Sequence, residues 1–282
     1  MFTTPTSSAS AGIAAWLEFF GSVELPVLRQ TVRQLDEARR RADRVTSREI
    51  SEIVFQDPLL AVRVLAYIQS FGGRHLHRDI TTIGGAIMML GVEPFFREFD
   101  DLPTIELTLK THPIALLGVL QVILRTQRAS RYARDWAYVR HDLNIEEVAV
   151  AALLHDLAEI LLWCYAPAQA IAIRSRLLAD KTLRSAVVQQ EMLGFPLSAL
   201  QLALCHAWHL PELLTTLIDD ANAHLPRVQN VRLAVNLARH SLNGWTDAAL
   251  PDDFAAIQAL LRISHEALLE RLQLPPESLP GT

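Results

Sequence analysis

Glycine, cysteine and aromatic residues are all scarce in this sequence of 282 residues. It contains 11 glycines and 2 cysteines, and aromatic residues make up 7% of the chain. The regular alternation of β-branched residues that is typical of strands is missing too, so the composition predicts an all-α protein. No glycine-rich phosphate loop, serine nucleophile elbow or dinucleotide-binding fingerprint occurs. The common signatures of nucleotide-binding enzymes and serine hydrolases are therefore absent.

The two cysteines cannot build a disulfide framework or a zinc knuckle. Cys164 and Cys205 both lie in apolar, helical contexts, which fits a reducing cytosol. The N-terminus does not resemble a signal peptide, and no apolar stretch reaches the length of about 18 residues that crosses a bilayer without charge. We therefore expect a soluble, cytoplasmic protein without a membrane partner.

Positive charge is not in excess, because 26 Lys and Arg residues stand against 31 Asp and Glu residues, a net charge of −5. Nucleic-acid binding requires clustered excess Lys and Arg, so we expect no nucleic-acid partner. The one basic run, Arg39-Arg40-Arg41 with Arg44, is interleaved with acidic residues. A solvated helix face explains this run better than a polyanion site does.

Apolar periodicity predicts helices along the chain, joined by short connections. In the second half we expect helices at about residues 113–140, 145–165, 167–179, 181–193, 197–207, 211–222, 227–242 and 251–273. In the first half, Asp57-Pro58 is the clearest start signal, because Asp is a favoured N-cap and Pro a favoured first helical residue. Residues 1–11 are small and polar and are predicted to form a disordered tail.

The stretch Leu153–Leu162 places three ionisable side chains inside an otherwise apolar run. Helical spacing puts His155, Asp156 and Glu159 on one side of a central helix. Burying such groups without partners costs roughly 2–7 kcal/mol for a neutral polar group and more for a charge. Each of the three is therefore expected to have a partner or to bind a metal ion.

The His155-Asp156 pair after Leu153-Leu154 resembles the signature of the HD superfamily, whose members bind divalent metal ions at the pair and hydrolyse phosphate esters. Four further segments resemble the HDOD domains, the HD-related output domains of bacterial signalling proteins: Phe55–Leu60, Ile80–Gly91, Glu191–Phe195 and Ala207–Pro211. The resemblance covers roughly residues 21 to 240. It implies an N-terminal helical layer packed on an HD-like helical bundle. The connector Asp100–Pro103 sets the boundary between residues 12–103 and 104–242, and a C-terminal helical extension is expected at 243–282.

The resemblance also implies which metal ligands are missing. The family's first ligand, a His on the preceding helix, aligns with Thr126, and its closing Asp aligns with Val235. A catalytic metal normally gathers ligands from several elements, whereas here His155, Asp156 and Glu159 all come from one. We therefore expect no bound metal, no cofactor and no enzymatic activity. The alternative is a degenerate phosphohydrolase acting on a nucleotide or cyclic dinucleotide.

For two groups of polar residues, a purely structural role competes with a role in ligand binding. His155, Asp156 and Glu159 can form a retained core network to which Arg125, Arg128 or Arg131 supplies charge. Cys205, His206 and His209 suggest zinc by residue type, but no fourth ligand is evident, and a buried thiol beside two partly exposed imidazoles is the preferred interpretation.

The overall expectation is a non-catalytic signalling module that binds a protein partner or a small signalling ligand. Clefts between helical layers are common binding sites, and a seam is expected near Asp100–Pro103. The neighbouring polar loop contains Arg74 and Arg78. These two arginines are the candidate contacts for an acidic or phosphorylated partner, since guanidinium groups form charge-assisted hydrogen bonds with such groups.

Overall fold

The structure, a computed structural model, describes residues 12–41, 44–72, 80–180 and 182–274. Within these ranges the chain forms α-helices and one short 3-10 helix, and the only strand-like pairing is an isolated bridge between Val27 and Thr104. The prediction of an all-α protein is confirmed. The predicted disordered tail, residues 1–11, lies outside the described residues.

The helices are α1 (Ile13–Ser22), α2 (Arg29–Arg39), α3 (Ser47–Val54), α4 (Pro58–Gly72), α5 (Ile83–Leu90), α6 (Val92–Glu98), α7 (Ile105–Thr108), α8 (Pro113–Val139), α9 (Ile145–Leu154), α10 (Leu157–Tyr165), α11 (Pro167–Ala179), α12 (Ser185–Leu193), α13 (Leu197–Ala207), α14 (Glu212–Ile218), α15 (Pro226–His240), α16 (Leu250–Leu261) and α17 (His265–Arg271), with the 3-10 helix at Asp220–Asn222. The predicted helices at 113–140, 167–179 and 197–207 agree with α8, α11 and α13 to within one residue. The helix predicted from residue 181 begins later, at Ser185.

Two predicted long helices are wrong in their continuity. The helix expected at 145–165 is interrupted between α9 and α10, at His155 and Asp156. The helix expected at 251–273 ends at Leu261, because Arg262 adopts a left-handed conformation with φ 56°. A new helix, α17, then begins after Ser264, whose hydroxyl accepts a hydrogen bond from the backbone N–H of Ala267 at 3.2 Å.

The chain divides into two compact units, each built from two separate segments. The first unit contains Met1–Ile123 and Asp156–Thr215, and the second contains Leu124–His155 and Thr216–Thr282. This division follows contacts within the structure, whereas the boundaries at 12–103, 104–242 and 243–282 followed the Asp100–Pro103 connector and the family resemblance, and they stay a prediction.

The start of α4, in the first unit, confirms the Asp57-Pro58 prediction. One carboxylate oxygen of Asp57 accepts hydrogen bonds from the backbone N–H groups of Leu59 and Leu60, at 3.0 and 3.2 Å. The other accepts from the N–H of Leu28 and the hydroxyl of Thr31, at 2.7 and 2.8 Å. Asp57 is fully buried, and burial raises the pKa of its carboxyl although these hydrogen bonds oppose the rise. One side chain therefore caps α4 and ties it to α2.

The basic run that begins at the last residue of α2 is only partly a solvated face. Arg39 is ion-paired with Asp100 at 2.5 Å and donates a hydrogen bond to the carbonyl of Phe96 at 3.0 Å. Its guanidinium also lies over the Phe96 ring, 5.5 Å from the ring centroid. Arg41 is ion-paired with Glu49 at 2.7 Å. Arg39 therefore ties α2 to the predicted connector at Asp100, whereas the pair of Arg41 with Glu49 is solvent-exposed.

The second unit packs α15 against α9 and α16. Arg227 at the start of α15 is ion-paired with Asp142 and Glu147, at 2.9 and 2.7 Å. The side-chain amide of Asn230 donates to the carbonyl of Ala133 at 3.1 Å, which joins α15 to α8. Small buried residues line the same part of α8: Ala129, Ala133 and Ala137. Their size allows the neighbouring backbone to come close.

One stretch of the described chain, Ile145–Tyr165, is long and apolar enough to cross a membrane by length and composition alone. It corresponds to α9 and α10 together, and 83% of its most apolar window is buried inside the protein. The core helix of a soluble protein meets the same criterion.

Candidate functional site

The His-Asp pair lies at a break between two helices. α9 ends at Leu154, α10 begins at Leu157, and Asp156 between them adopts φ −102° and ψ 25°, outside the helical range. The backbone N–H of Ala158, in the first turn of α10, donates to the side-chain carbonyl of Gln201 at 2.8 Å. Gln201, which belongs to α13, therefore supplies a hydrogen-bond acceptor for the first turn of α10.

His155 lies against a carboxylate that the sequence analysis did not identify. Its Nε2 atom is 3.7 Å from Oδ1 of Asp220, and the exposed fractions of the two side chains are 15% and 55%. Asp220 belongs to the 3-10 helix, whose N-cap Asp219 accepts a hydrogen bond from the N–H of Ala221 at 3.0 Å. The adjacent pair Asp219-Asp220 was the available signal, but nothing in the sequence connects it to His155.

Three cationic or ionisable groups surround Asp220. Burial alone would raise the pKa of its carboxyl, but His155 and the charges of Arg232 and Arg239 outweigh burial, and the net effect lowers the pKa. Both arginines belong to α15, which packs against the 3-10 helix. The site around His155 therefore contains an ionised carboxylate held among positive charges.

The two positions that the family resemblance assigns to missing ligands are filled by buried residues. Thr126 on α8 is 1% exposed and Val235 on α15 is 3% exposed. Val235 lies three residues after Arg232 and four residues before Arg239, so all three share one face of α15. The family resemblance predicts an acidic ligand at position 235. The structure has the isopropyl group of Val235 there, on the same helix face as two arginines.

The other members of the predicted network differ in burial. Asp156 is buried at 7% exposure, while Glu159 is half-buried. Of the three arginines proposed as partners, Arg125 is buried, Arg128 is half-buried and Arg131 is exposed. An exposed Arg131 does not suit a core network, which leaves Arg125 and Arg128 for that hypothesis, and the network itself stays a prediction.

The cysteine and histidine set on α13 separates by burial. Cys205 is fully buried and its sulfur accepts a hydrogen bond from the Gln201 side-chain amide at 3.6 Å. Burial raises the pKa of this thiol to about 11, which keeps it protonated. His206 and His209 are both exposed. In the part of the chain that the structure describes, no group of three His, Cys, Asp or Glu side chains is placed to hold a metal ion.

The two candidate partner contacts, Arg74 and Arg78, lie outside the described residues, so their role stays a prediction.

The predicted seam near Asp100–Pro103 is held by backbone hydrogen bonds. The N–H of Val27 donates to the carbonyl of Pro103 at 2.8 Å, and the N–H of Ile105 donates to the carbonyl of Val27 at 2.9 Å. The Asp100–Pro103 connector is therefore held against the segment before α2.

A family model described as HDOD domain matches residues 25–224. The chain is similar to the MmoQ response regulator from Methylococcus capsulatus str. Bath, with 16% identity, a TM-score of 0.69 and coverage of 89% of this chain and 98% of that chain. It is also similar to a virulence factor from Campylobacter jejuni subsp. jejuni, with 20% identity, a TM-score of 0.68 and coverage of 95% and 98%. These identities support a shared fold alone, and no curated protein matches the chain.

Proposed function

The chain belongs to the HDOD domain family, and on this premise we propose that it is a non-catalytic regulatory module of a bacterial signalling pathway. It acts in the cytoplasm by binding a protein partner or a small signalling ligand. Its structural relative MmoQ is a response regulator, which agrees with a signalling role.

The observation that carries this proposal is the proximity of His155 to Asp220, whose pKa is also lowered by the charges of Arg232 and Arg239. A divalent cation at this carboxylate would be repelled by two guanidinium charges, and water around the half-exposed Asp220 reduces this repulsion without removing it. Catalysis by a metal ion requires an open coordination position fixed by several converging ligands. Thr126 and Val235 supply neither charge nor imidazole at the two positions where the family resemblance expects ligands.

A second candidate is a degenerate metal-dependent phosphohydrolase acting on a nucleotide or cyclic dinucleotide. The observation in its favour is that His155 and Asp220 place an imidazole nitrogen and a carboxylate oxygen 3.7 Å apart, and both are metal-ligand types. Asp156 follows directly in the chain. This candidate requires a substrate that recruits its own metal ion past the two arginines.

Metal content and hydrolysis distinguish the two functions. We expect the purified protein to contain no stoichiometric Mn, Fe, Zn or Mg, and to leave bis(p-nitrophenyl) phosphate intact in the presence of added Mn²⁺. The matched variant is His155→Ala, which should behave identically in both assays. About one equivalent of metal that disappears in His155→Ala, or hydrolysis that this variant abolishes, would establish the phosphohydrolase instead.

The binding function is tested by partner capture from the native cell. Arg74→Glu with Arg78→Glu reverses the charge of the candidate contact loop, and we expect lost capture with an unchanged thermal melt. Unchanged capture would place the binding surface on another part of the chain.

A further inference from the structure

The first unit contains an open cleft with a volume of about 280 Å³. It lies between the segment before α2, the middle of α4, the end of α6 and the end of α13. Its apolar floor includes Leu25, Val62 and Ala66. Pockets for drug-sized ligands usually measure about 300–1,000 Å³, so this cleft suits one long side chain rather than a dinucleotide.

Aromatic residues form one wall of the cleft. Tyr67 and Phe99 pack edge to face with ring centroids 5.8 Å apart. Trp208, at the end of α13, is half-buried and also lines the cleft. Trp208 lies in the Ala207–Pro211 segment that carries part of the family resemblance but takes no part in the site around His155.

The charges of the cleft are not all neutralised internally. Arg63 is ion-paired with Glu24 at 2.8 Å and donates to the carbonyl of Leu25 at 2.6 Å, so the Glu24 carboxylate is compensated. Glu98 is exposed and accepts a hydrogen bond from the hydroxyl of Tyr67. The Glu98 carboxylate thus lies at the mouth of an apolar, aromatic cleft, with a neutral phenol as its partner within the lining.

This combination defines the chemistry of the ligand. An aliphatic stem buries apolar surface against the partly exposed side chains of Val23 and Ala66, while a cationic head is attracted to an aromatic face and to a carboxylate. A ligand with a negative charge would instead meet Glu98.

We propose that the cleft binds an organic cation on an aliphatic stem, supplied as the arginine or lysine side chain of a protein partner, with Glu98 and Trp208 as its contacts. The proposal rests on the proposed binding function and gives it a chemical class of partner. A free amine or guanidine shares this chemistry, but a cleft of this volume open to solvent holds such a small molecule weakly, whereas a partner protein adds contacts around the cleft.

Two peptides differing in one charge test the proposal. The probe is acetyl-Gly-Gly-Arg-Gly-Gly-amide, the matched control replaces arginine by neutral citrulline, and the readout is the NMR signal of the Trp208 indole N–H, assigned with Trp208→Phe. We expect a saturable shift with the arginine peptide and none with the citrulline peptide. Equal shifts with both peptides would overturn the proposal.

Variants of α6 sharpen the test. Glu98→Gln should weaken binding of the arginine peptide at least about fivefold, as expected for the loss of one partly exposed charge contact. Glu93→Gln, an exposed change on the same helix outside the cleft, is the matched control and should leave affinity unchanged. Arg97 adds an opposing positive charge near Tyr67, so Arg97→Gln should tighten binding. Unchanged affinity in Glu98→Gln, with a native thermal melt, would contradict the assignment.

Two further measurements are needed. One tests whether the bound cation is a free small molecule or a protein side chain, and the other distinguishes failure of the cleft proposal from failure of the proposed binding function. Agmatine supplies the same guanidinium without a peptide, and agmatine binding tighter than the arginine peptide would overturn the assignment to a protein side chain. A cellular partner captured equally by the wild type and by Glu98→Gln would contradict the cleft proposal but would still support the proposed binding function.

Discussion

The side-chain carbonyl of Gln201 accepts a hydrogen bond from the backbone N–H of Ala158, and the two atoms are 2.8 Å apart. This contact replaces the helical acceptor that Leu154 would provide to a continuous helix. Gln201 is itself buried, and its amide nitrogen donates to the Cys205 sulfur. A side chain from α13 therefore substitutes for one backbone hydrogen bond just after the His-Asp pair.

Replacing Gln201 by Leu should destabilise the protein. The change keeps a similar volume but leaves the buried N–H of Ala158 without its acceptor, which should lower the free energy of unfolding by about 1–3 kcal/mol. Urea denaturation followed by circular dichroism measures the loss. Gln121→Leu, at an exposed position of α8, is the matched control and should change stability by about 0.5 kcal/mol or less. Equal curves for both variants would argue against the Gln201 contact.

Removal of the Asp57 carboxylate should be more costly. Asp57→Ala abolishes four hydrogen bonds at once in a fully buried environment, and we expect a loss of about 3–5 kcal/mol in the same denaturation experiment. The control is Glu52→Gln, which breaks only the exposed pair with Arg48 on α3 and should cost about 0.5 kcal/mol or less. A loss for Asp57→Ala no greater than that of the control would show that the cap contributes little.

Gly118 is required by the ring of Trp163. A Cβ atom at Gly118 would lie 2.5 Å from the nearest ring carbon, and Trp163 is only 5% exposed, so the ring has little room to move. Gly118→Ala should therefore lower the melting temperature, with a cost of about 1–3 kcal/mol from overpacking. Gly21→Ala in α1 meets nothing within 4 Å and should leave stability unchanged or raise it by about 0.5–1 kcal/mol.

The pair formed by His240 and Asp253 should make stability depend on pH. Nδ1 of His240 lies 2.6 Å from Oδ2 of Asp253, and this hydrogen bond raises the pKa of the imidazole, with a further contribution from Asp247 and opposition from burial and Arg239. Because the folded pKa exceeds the unfolded value of about 6.5, the stabilisation is complete below pH ~6.5 and is lost as the pH rises through the folded pKa.

A double-mutant cycle measures this pH dependence. Thermal unfolding of the wild type, His240→Gln, Asp253→Asn and the double variant between pH ~5.5 and 9 yields the coupling free energy of the pair at each pH. We expect the coupling to be largest at the acidic end and to shrink as the pH rises. A coupling that stays constant over this range would mean that protonation of His240 does not stabilise the fold.

The sequence was informative wherever the signal was local. Asp57-Pro58 predicted the start of α4 because the capping residue and the capped N–H groups are neighbours in the chain. The family resemblance identified the HDOD domain because its motifs are short and contiguous. The break after His155 could not be predicted, because the acceptor that replaces the helical bond, Gln201, lies 43 residues beyond Ala158.

The electrostatics of the candidate site were missed for the same reason. Asp220 is far from His155 in sequence, and its neighbours Arg232 and Arg239 are ordinary helix residues until the fold brings their helix against the 3-10 helix. The ion pair of Arg39 with Asp100 is another long-range contact that a basic run cannot reveal. Periodicity predicts which face of a helix is buried, but not which distant side chain it meets.

The division of the chain has a consequence for synthesis on the ribosome. Each unit is completed by a segment that follows an excursion into the other unit: Asp156–Thr215 completes the first, and Thr216–Thr282 completes the second. Chain elongation proceeds at about 5–20 residues per second, so the N-terminal helices wait several seconds for their packing partners. The nascent chain therefore exposes apolar surface of α1, such as that of Phe20, until its packing partner α13 has emerged, an interval in which chaperones can bind it.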